Sequence, residues 1–171
     1  MILAPNSLSA TFTRPADTVT YAGGDLVANS TTAGSVTPLS WAVGYTAGWK
    51  SGYNPIYIPA FRIRKTKALV TNAAFRLHLY LSQPIIATTG DNGVFGTVVS
   101  GNASWLSSYD TTMVALHSDG ASGLAVPTEG SVTPTVPTGT TLYGLIEVLA
   151  AYAPASAEVF TFEMLYETVT P

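Results

Sequence analysis

Three stretches of this chain alternate apolar and polar side chains with the two-residue period of a half-buried β-strand. These stretches are residues 61–65, 75–81 and 159–166. The chain also contains 11 prolines and 15 glycines, which divide the rest of the sequence into short segments. Because both residues interrupt helices, little room is left for a helix longer than one turn. The pattern therefore predicts an all-β protein.

The segment 142–152 is apolar on both faces apart from Glu147, which is typical of a central strand covered on each side. We expect a helical turn near residues 104–109 and further short strands at 18–21, 26–28, 112–116 and 123–126. About eight antiparallel strands in one domain favour two packed sheets. The predicted fold is an antiparallel two-sheet β-sandwich of jelly-roll-like topology.

Residues 1–17 precede any regular alternation, and they predict an extended N-terminal arm followed by a single β-sandwich domain over residues 18–171. Chain ends usually fray, and this arm could do the same. Alternatively, an arm that carries Phe12 and Arg14 could lie across a neighbouring subunit. On the second view, deletion of residues 1–15 should abolish attachment without lowering the melting temperature by much.

The surface of this protein must be unusually poor in charge. Only 10% of the residues are charged, whereas a soluble domain typically has about 25%. Threonine, serine, glycine and asparagine supply the polarity instead. Such a surface repels neighbours weakly, so it is typical of a component of an assembly rather than of a free enzyme.

The few charges are distributed unevenly along the chain. All seven basic residues lie before residue 77, and five of them form one cluster: Arg62, Arg64, Lys65, Lys67 and Arg76. Eight of the ten acidic residues follow residue 77. We expect the cluster to pair across strands, within or between subunits, rather than to bind nucleic acid. The candidate partners are Glu147, Glu158, Glu163 and Glu167.

An aromatic residue recurs every four positions between residues 41 and 57, and a glycine precedes three of the rings. The aromatic residues are Trp41, Tyr45, Trp49, Tyr53 and Tyr57. Closely spaced glycines disfavour a helix by up to about 1 kcal/mol each, so the pattern predicts a glycine-hinged loop. Three interpretations remain open: rings that cap the core, a protein–protein contact, or a platform for stacking sugar rings.

The sequence offers little catalytic chemistry. Cysteine is absent, and the two histidines, His78 and His117, lack the spacing of metal ligands. His78 is expected to be exposed or salt-bridged, and residues 90–93 (Gly-Asp-Asn-Gly) predict a tight turn rather than a calcium loop. No phosphate-binding, dinucleotide-binding or nucleophile motif is present. We therefore predict no enzyme activity, no catalytic residue, no metal and no cofactor.

Several segments resemble a group of tailed-bacteriophage structural proteins. The most specific is FTRPADT at residues 12–18, followed by similar sequence at 21–22 and 24–39. Weaker similarities follow in matching order at residues 61–65, 75–80, 83–84, 90–93 and 152–158. Together these segments span most of the chain, although residues 41–57 depart from the family pattern.

The resemblance implies a capsid decoration, or cement, protein of jelly-roll-like fold. Such a protein would be made in the bacterial host cytoplasm and would bind the major capsid protein on the outer surface of the virion, bridging capsomers, often as a homotrimer. It would need no nucleic-acid or membrane partner. The arm and the aromatic segment then predict the capsid or subunit interface: Phe12, Arg14, Pro15, Trp41, Tyr45, Trp49, Tyr53 and Tyr57.

Two alternative functions remain open from the sequence. One is a receptor- or carbohydrate-binding module of a phage tail or fibre, in which Trp41, Trp49 and Tyr53 would stack on sugar rings. The other is a hydrolase of sandwich fold that uses Glu147 and Glu163 as paired carboxylates.

Overall fold

A computed structural model of the protein describes residues 6–44, 55–86, 89–97, 103–116, 120–128 and 133–168. These residues form eleven β-strands and one short 3-10 turn at Ala33–Ser35. In chain order the strands are β1 (Asn6–Thr13), β2 (Leu26–Val27), β3 (Leu39–Ala42), β4 (Pro55–Thr66), β5 (Ala74–Tyr80), β6 (Trp105–Thr112), β7 (Val114–Leu116), β8 (Gly120–Pro127), β9 (Thr135–Pro137), β10 (Thr141–Val148) and β11 (Val159–Thr168).

All strand pairings are antiparallel, and they join the strands into one sheet in the order β1-β11-β4-β8-β6-β5-β10-β2. Strands β3, β7 and β9 pair with β10, β8 and β4 respectively. The sheet curls into a half-barrel. The prediction of an all-β, antiparallel fold is therefore confirmed.

The core fills the inside of the half-barrel, and the alternating stretches supply much of it. On β4, Phe61 and Ile63 are fully buried while Arg62 and Arg64 face solvent. Strands β5 and β11 alternate in the same way over the predicted stretches. One predicted core residue, Leu81, is instead 44% exposed, because β5 ends at the preceding residue and the alternation ends with it.

Strand β10 is covered on both faces, as its composition predicted, although it lies second from one end of the strand order and is not central. Leu142, Ile146 and Val148 belong to the main core. Leu145 packs in a second cluster, together with Tyr80 and with apolar residues of β2 and of the segment after β5. Burial on two faces explains why the strand lacks the polar alternation of its neighbours.

Two further local predictions were wrong. Residues 105–112 form strand β6 instead of a helical turn, because Ser107, Tyr109 and Thr111 all point inward and the strand pairs with β5. The segment 18–21 contributes only one isolated bridge, between Tyr21 and Tyr152, rather than a strand. Long-range pairing, which local composition does not encode, decided both cases.

The N-terminal segment belongs to the sheet of its own chain. Residues 6–13 form β1 and pair with β11 along their whole length. Leu8, Ala10 and Phe12 pack against the core, and the Phe12 ring stacks on Phe160 with the centroids 5.5 Å apart. The segment is thus extended, as expected, but it is not a detached arm. Its contact with a neighbouring subunit stays a prediction.

Candidate functional site

The half-barrel leaves two strand edges facing each other. Within the described residues, β1 pairs only with β11, and β3 pairs only with β10. The curl of the sheet brings β1 and β3 side by side without pairing them. A groove of about 560 Å³ lies between them, lined by residues 10–13 on one side and 37–40 on the other, with Asn29. We call this feature the seam groove.

The hydrogen-bond register shows which backbone groups of β1 point away from β11. The Arg14 amide donates to the Glu158 carbonyl at 2.9 Å, one step beyond the last β1–β11 pair, Thr13 and Val159. Hydrogen-bonded and non-bonded pairs alternate along an antiparallel ladder. The even-numbered residues of β1 therefore bond to β11. The amides and carbonyls of its odd-numbered residues, 7–13, point to the free edge.

Strand β3 likewise directs backbone groups toward the groove from the opposite side. The Val43 amide donates to the Thr140 carbonyl at 2.9 Å, in register with the β3–β10 ladder. Alternation then directs the backbone of Trp41 to β10 and the backbone of Ser40 toward the groove. Both sides of the groove thus present main-chain donors and acceptors that no described strand pairs.

The floor of the seam groove is apolar and its rims are hydroxylic. Phe12 and Leu39 lie at the bottom, whereas Thr11, Thr13 and Ser40 lie along the rims. No charged residue lines the groove among the described residues. The arrangement suits an uncharged, extended peptide, which would gain backbone hydrogen bonds by adding a strand to a free sheet edge.

A buried ionic network holds the end of β1 next to this groove. Arg14 donates to the Tyr21 hydroxyl and, at 2.9 Å, to the carboxylate of Asp91. Tyr21 and the Ala28 amide each donate to the same carboxylate at 2.7 Å. The side chains of Arg14 and Asp91 are fully buried. Burial raises the pKa of Asp91, although its three partners act to lower it.

Local backbone geometry places Asp91 in this network. Residues 90–93 form the predicted tight turn, in which Asn92 adopts a left-handed conformation with φ of 62°. A Cβ atom at Gly90 would lie 2.2 Å from the carbonyl carbon of Thr31, so only glycine permits this close approach. The turn therefore packs directly onto the backbone after β2 and directs the carboxylate inward.

A second buried ion pair lies beside the first. Lys65 contacts Glu158 at 2.7 Å, and Tyr152 donates to the other oxygen of Glu158 at 2.6 Å. Burial lowers the pKa of Lys65, while Glu158 acts in the opposite direction. The Tyr21 and Tyr152 rings stack with centroids 6.1 Å apart, which joins the two networks. Together they fix the N-terminal segment to the turn before β11.

Four of the five residues of the basic cluster form ion pairs with acids of the same chain. Glu163 contacts Arg62 at 3.2 Å and Arg64 at 3.1 Å on the exposed face of β4 and β11. Lys65 pairs with Glu158, so cross-strand pairing with the predicted glutamates is confirmed for these three residues. Arg76 instead pairs with Asp110, an acid that the prediction did not include.

The predicted interface residues occupy different environments. Arg14 is enclosed by its ion pair, and Trp41 is buried, with its indole N–H donating to the Phe162 carbonyl at 3.2 Å. Both side chains are buried within the fold, and their contact with a neighbouring subunit stays a prediction. Phe12 and Pro15 are partly exposed and Tyr57 is exposed on β4, while Tyr45, Trp49 and Tyr53 lie outside the described residues.

A scan of protein-family models finds no match for this chain, and a search of curated proteins finds none either. Among the described residues, no helix is both long and apolar enough to cross a membrane. The same part of the chain holds no group of three or more acidic or histidine side chains that could bind a metal ion.

Proposed function

We propose that this protein is a structural component of a tailed-bacteriophage virion that binds the outer capsid surface and stabilises the shell by bridging capsomers. The observation that carries the proposal is the ordered series of segments between residues 12 and 158 that resemble tailed-bacteriophage structural proteins. In this proposal the half-barrel is a jelly-roll-like sandwich, and three copies act together. The low charge of the chain supports a role in close protein–protein packing, since few charges would have to be desolvated.

The seam groove supplies the attachment site in this proposal. An extended, uncharged segment of the major capsid protein adds as a strand to the free edge of β1. Each backbone hydrogen bond contributes about 0.5–1.5 kcal/mol net, so a few bonds give only modest affinity per subunit. Attachment at several sites of one oligomer multiplies that affinity, because the later contacts form at high effective concentration.

A matched pair of substitutions at Thr11 tests this attachment. Thr11→Pro removes an amide that points to the free edge and leaves the β11 ladder intact, so the protein should fold and fail to decorate capsids. Thr11→Ala keeps the amide and should decorate at wild-type occupancy. Co-sedimentation with undecorated capsids measures occupancy, and thermal unfolding confirms that each variant is folded.

The outcomes separate the two parts of the proposal. If both variants decorate fully, strand addition at β1 is wrong, while a capsid role through another surface survives. If the wild-type protein itself does not bind capsids, the proposed function is wrong. Should Thr11→Pro unfold, Ser7→Pro near the start of β1 tests the same free edge with less strain.

A further inference from the structure

A β-bulge turns an indole ring from the core to the surface. Strand β6 pairs Ser107 with Leu79 but Trp105 with Tyr80, so one extra residue, Leu106, is accommodated between the two pairs. Leu106 packs against the core, and Trp105 is 43% exposed on the outer face of the sheet. Bulges often redirect a side chain toward a binding site. Without the bulge, Trp105 would point inward like Ser107.

The exposed indole forms one wall of a second cleft, and none of the residues that line this cleft lines the seam groove. This outer cleft has a volume of about 420 Å³ and is lined by Arg76, His78, Tyr80, Phe95, Trp105 and Ser108. Its aromatic walls enclose a floor of polar groups that lie on β5 and β6. A few fixed polar groups between apolar walls are the usual composition of a small-molecule site.

The polar floor is held in place by interactions within the chain. Arg76 makes two bonds to Asp110, at 2.7 and 2.8 Å. His78 lies 2.9 Å from Glu147 and stacks on Phe95 with the centroids 4.5 Å apart. A ligand would thus meet preorganised donors and acceptors, which lowers the entropic cost of binding.

Arg76 is the one charged residue among the described residues that line the cleft, and two carboxylates next to it outnumber this cation. Arg76 is balanced by Asp110, and Glu147 adds a further negative charge. Burial lowers the pKa of His78, so the imidazole is neutral at neutral pH and does not offset that charge. The resulting field disfavours a sialic acid, a uronic acid or a phosphate. A neutral ligand with an apolar face and a rim of hydroxyl groups avoids this penalty.

We propose that the outer cleft binds a neutral saccharide, with one face of a pyranose ring against Trp105 and its hydroxyl groups bonded to Arg76 and Asp110. The C–H face of such a ring matches the flat indole, and the ion pair offers both a donor and an acceptor. This proposal stands independently of the capsid role.

The test is a titration of the ¹⁵N-labelled protein with sugars, in which NMR spectra record the indole N–H signals. The probes are cellobiose, lactose and N,N′-diacetylchitobiose as neutral sugars, with N-acetylneuraminic acid as the anionic comparison. We expect at least one neutral sugar to shift the Trp105 signal with a millimolar Kd, while the buried Trp41 signal stays unmoved. Trp105→Ala should weaken binding at least tenfold, and Trp105→Tyr should restore part of it.

The matched control is Leu124→Ala, which truncates an exposed apolar side chain on β8. This variant should bind the sugars like the wild type. Because Trp105 is partly exposed, its variants should fold, which the amide spectrum verifies. The proposal is overturned if none of the neutral sugars shifts the Trp105 signal. It is equally overturned if the anionic sugar binds as well as the neutral ones, or if Trp105→Ala leaves the affinity unchanged.

Discussion

Deletion of residues 1–15 is expected to abolish the folded state. The deletion removes all of β1 and, with it, the Phe12 ring that stacks on Phe160. It also removes Arg14, which leaves the buried carboxylate of Asp91 without its counter-ion. Loss of one partner from a buried ion pair alone costs about 3–5 kcal/mol, and a whole domain is stable by only about 5–15 kcal/mol. The combined loss is therefore comparable to the total stability.

Circular dichroism and thermal unfolding measure this effect directly. The control is deletion of residues 1–5, which removes none of these pairings and should leave a cooperative transition. A protein that lacks residues 1–15 and still melts cooperatively at the wild-type temperature would show that β1 is a dispensable arm, as the sequence alone suggested.

Asp91→Asn should destabilise the folded state by about 3–5 kcal/mol. The change keeps the shape of the side chain but removes its charge. The buried guanidinium of Arg14 then keeps only Asp17, which is partly exposed, as a carboxylate partner. The carboxamide must also replace a group that accepts bonds from Arg14, Tyr21 and the Ala28 amide. Chemical denaturation at neutral pH measures the change in the free energy of unfolding.

Asp17→Asn is the matched control, because Asp17 contacts the same guanidinium at 3.2 Å but is 32% exposed. An exposed ion pair contributes at most about 1 kcal/mol, so this variant should unfold close to the wild type. Equal effects of the two substitutions would contradict the assignment of Asp91 as the principal buried partner of Arg14.

The parts of the fold that depend on local pattern could be predicted from the sequence. Alternation identified the buried faces of β4, β5 and β11, and continuous apolarity identified the doubly covered strand β10. The tight turn at residues 90–93 followed from its glycine and asparagine content. In each case the signal lies within a few consecutive residues, which is the range over which side-chain periodicity operates.

The candidate sites could not be predicted in the same way, because they arise from long-range pairing. Arg14 and Asp91 are 77 residues apart, and nothing near either residue indicates that they meet. The direction of Trp105 depends on one inserted residue in a ladder, which flips a side chain to the other face. The free edge of β1 depends on which strands pair with it, and that property belongs to the whole sheet.

Density for this chain on the native phage particle is the most direct test of the central claim. Cryo-electron microscopy of the intact virion should place the half-barrel on the outer surface of the head, in contact with more than one capsomer. A strand of the major capsid protein should run along the free edge of β1. A chain found only in the tail, or absent from the particle, would contradict the account.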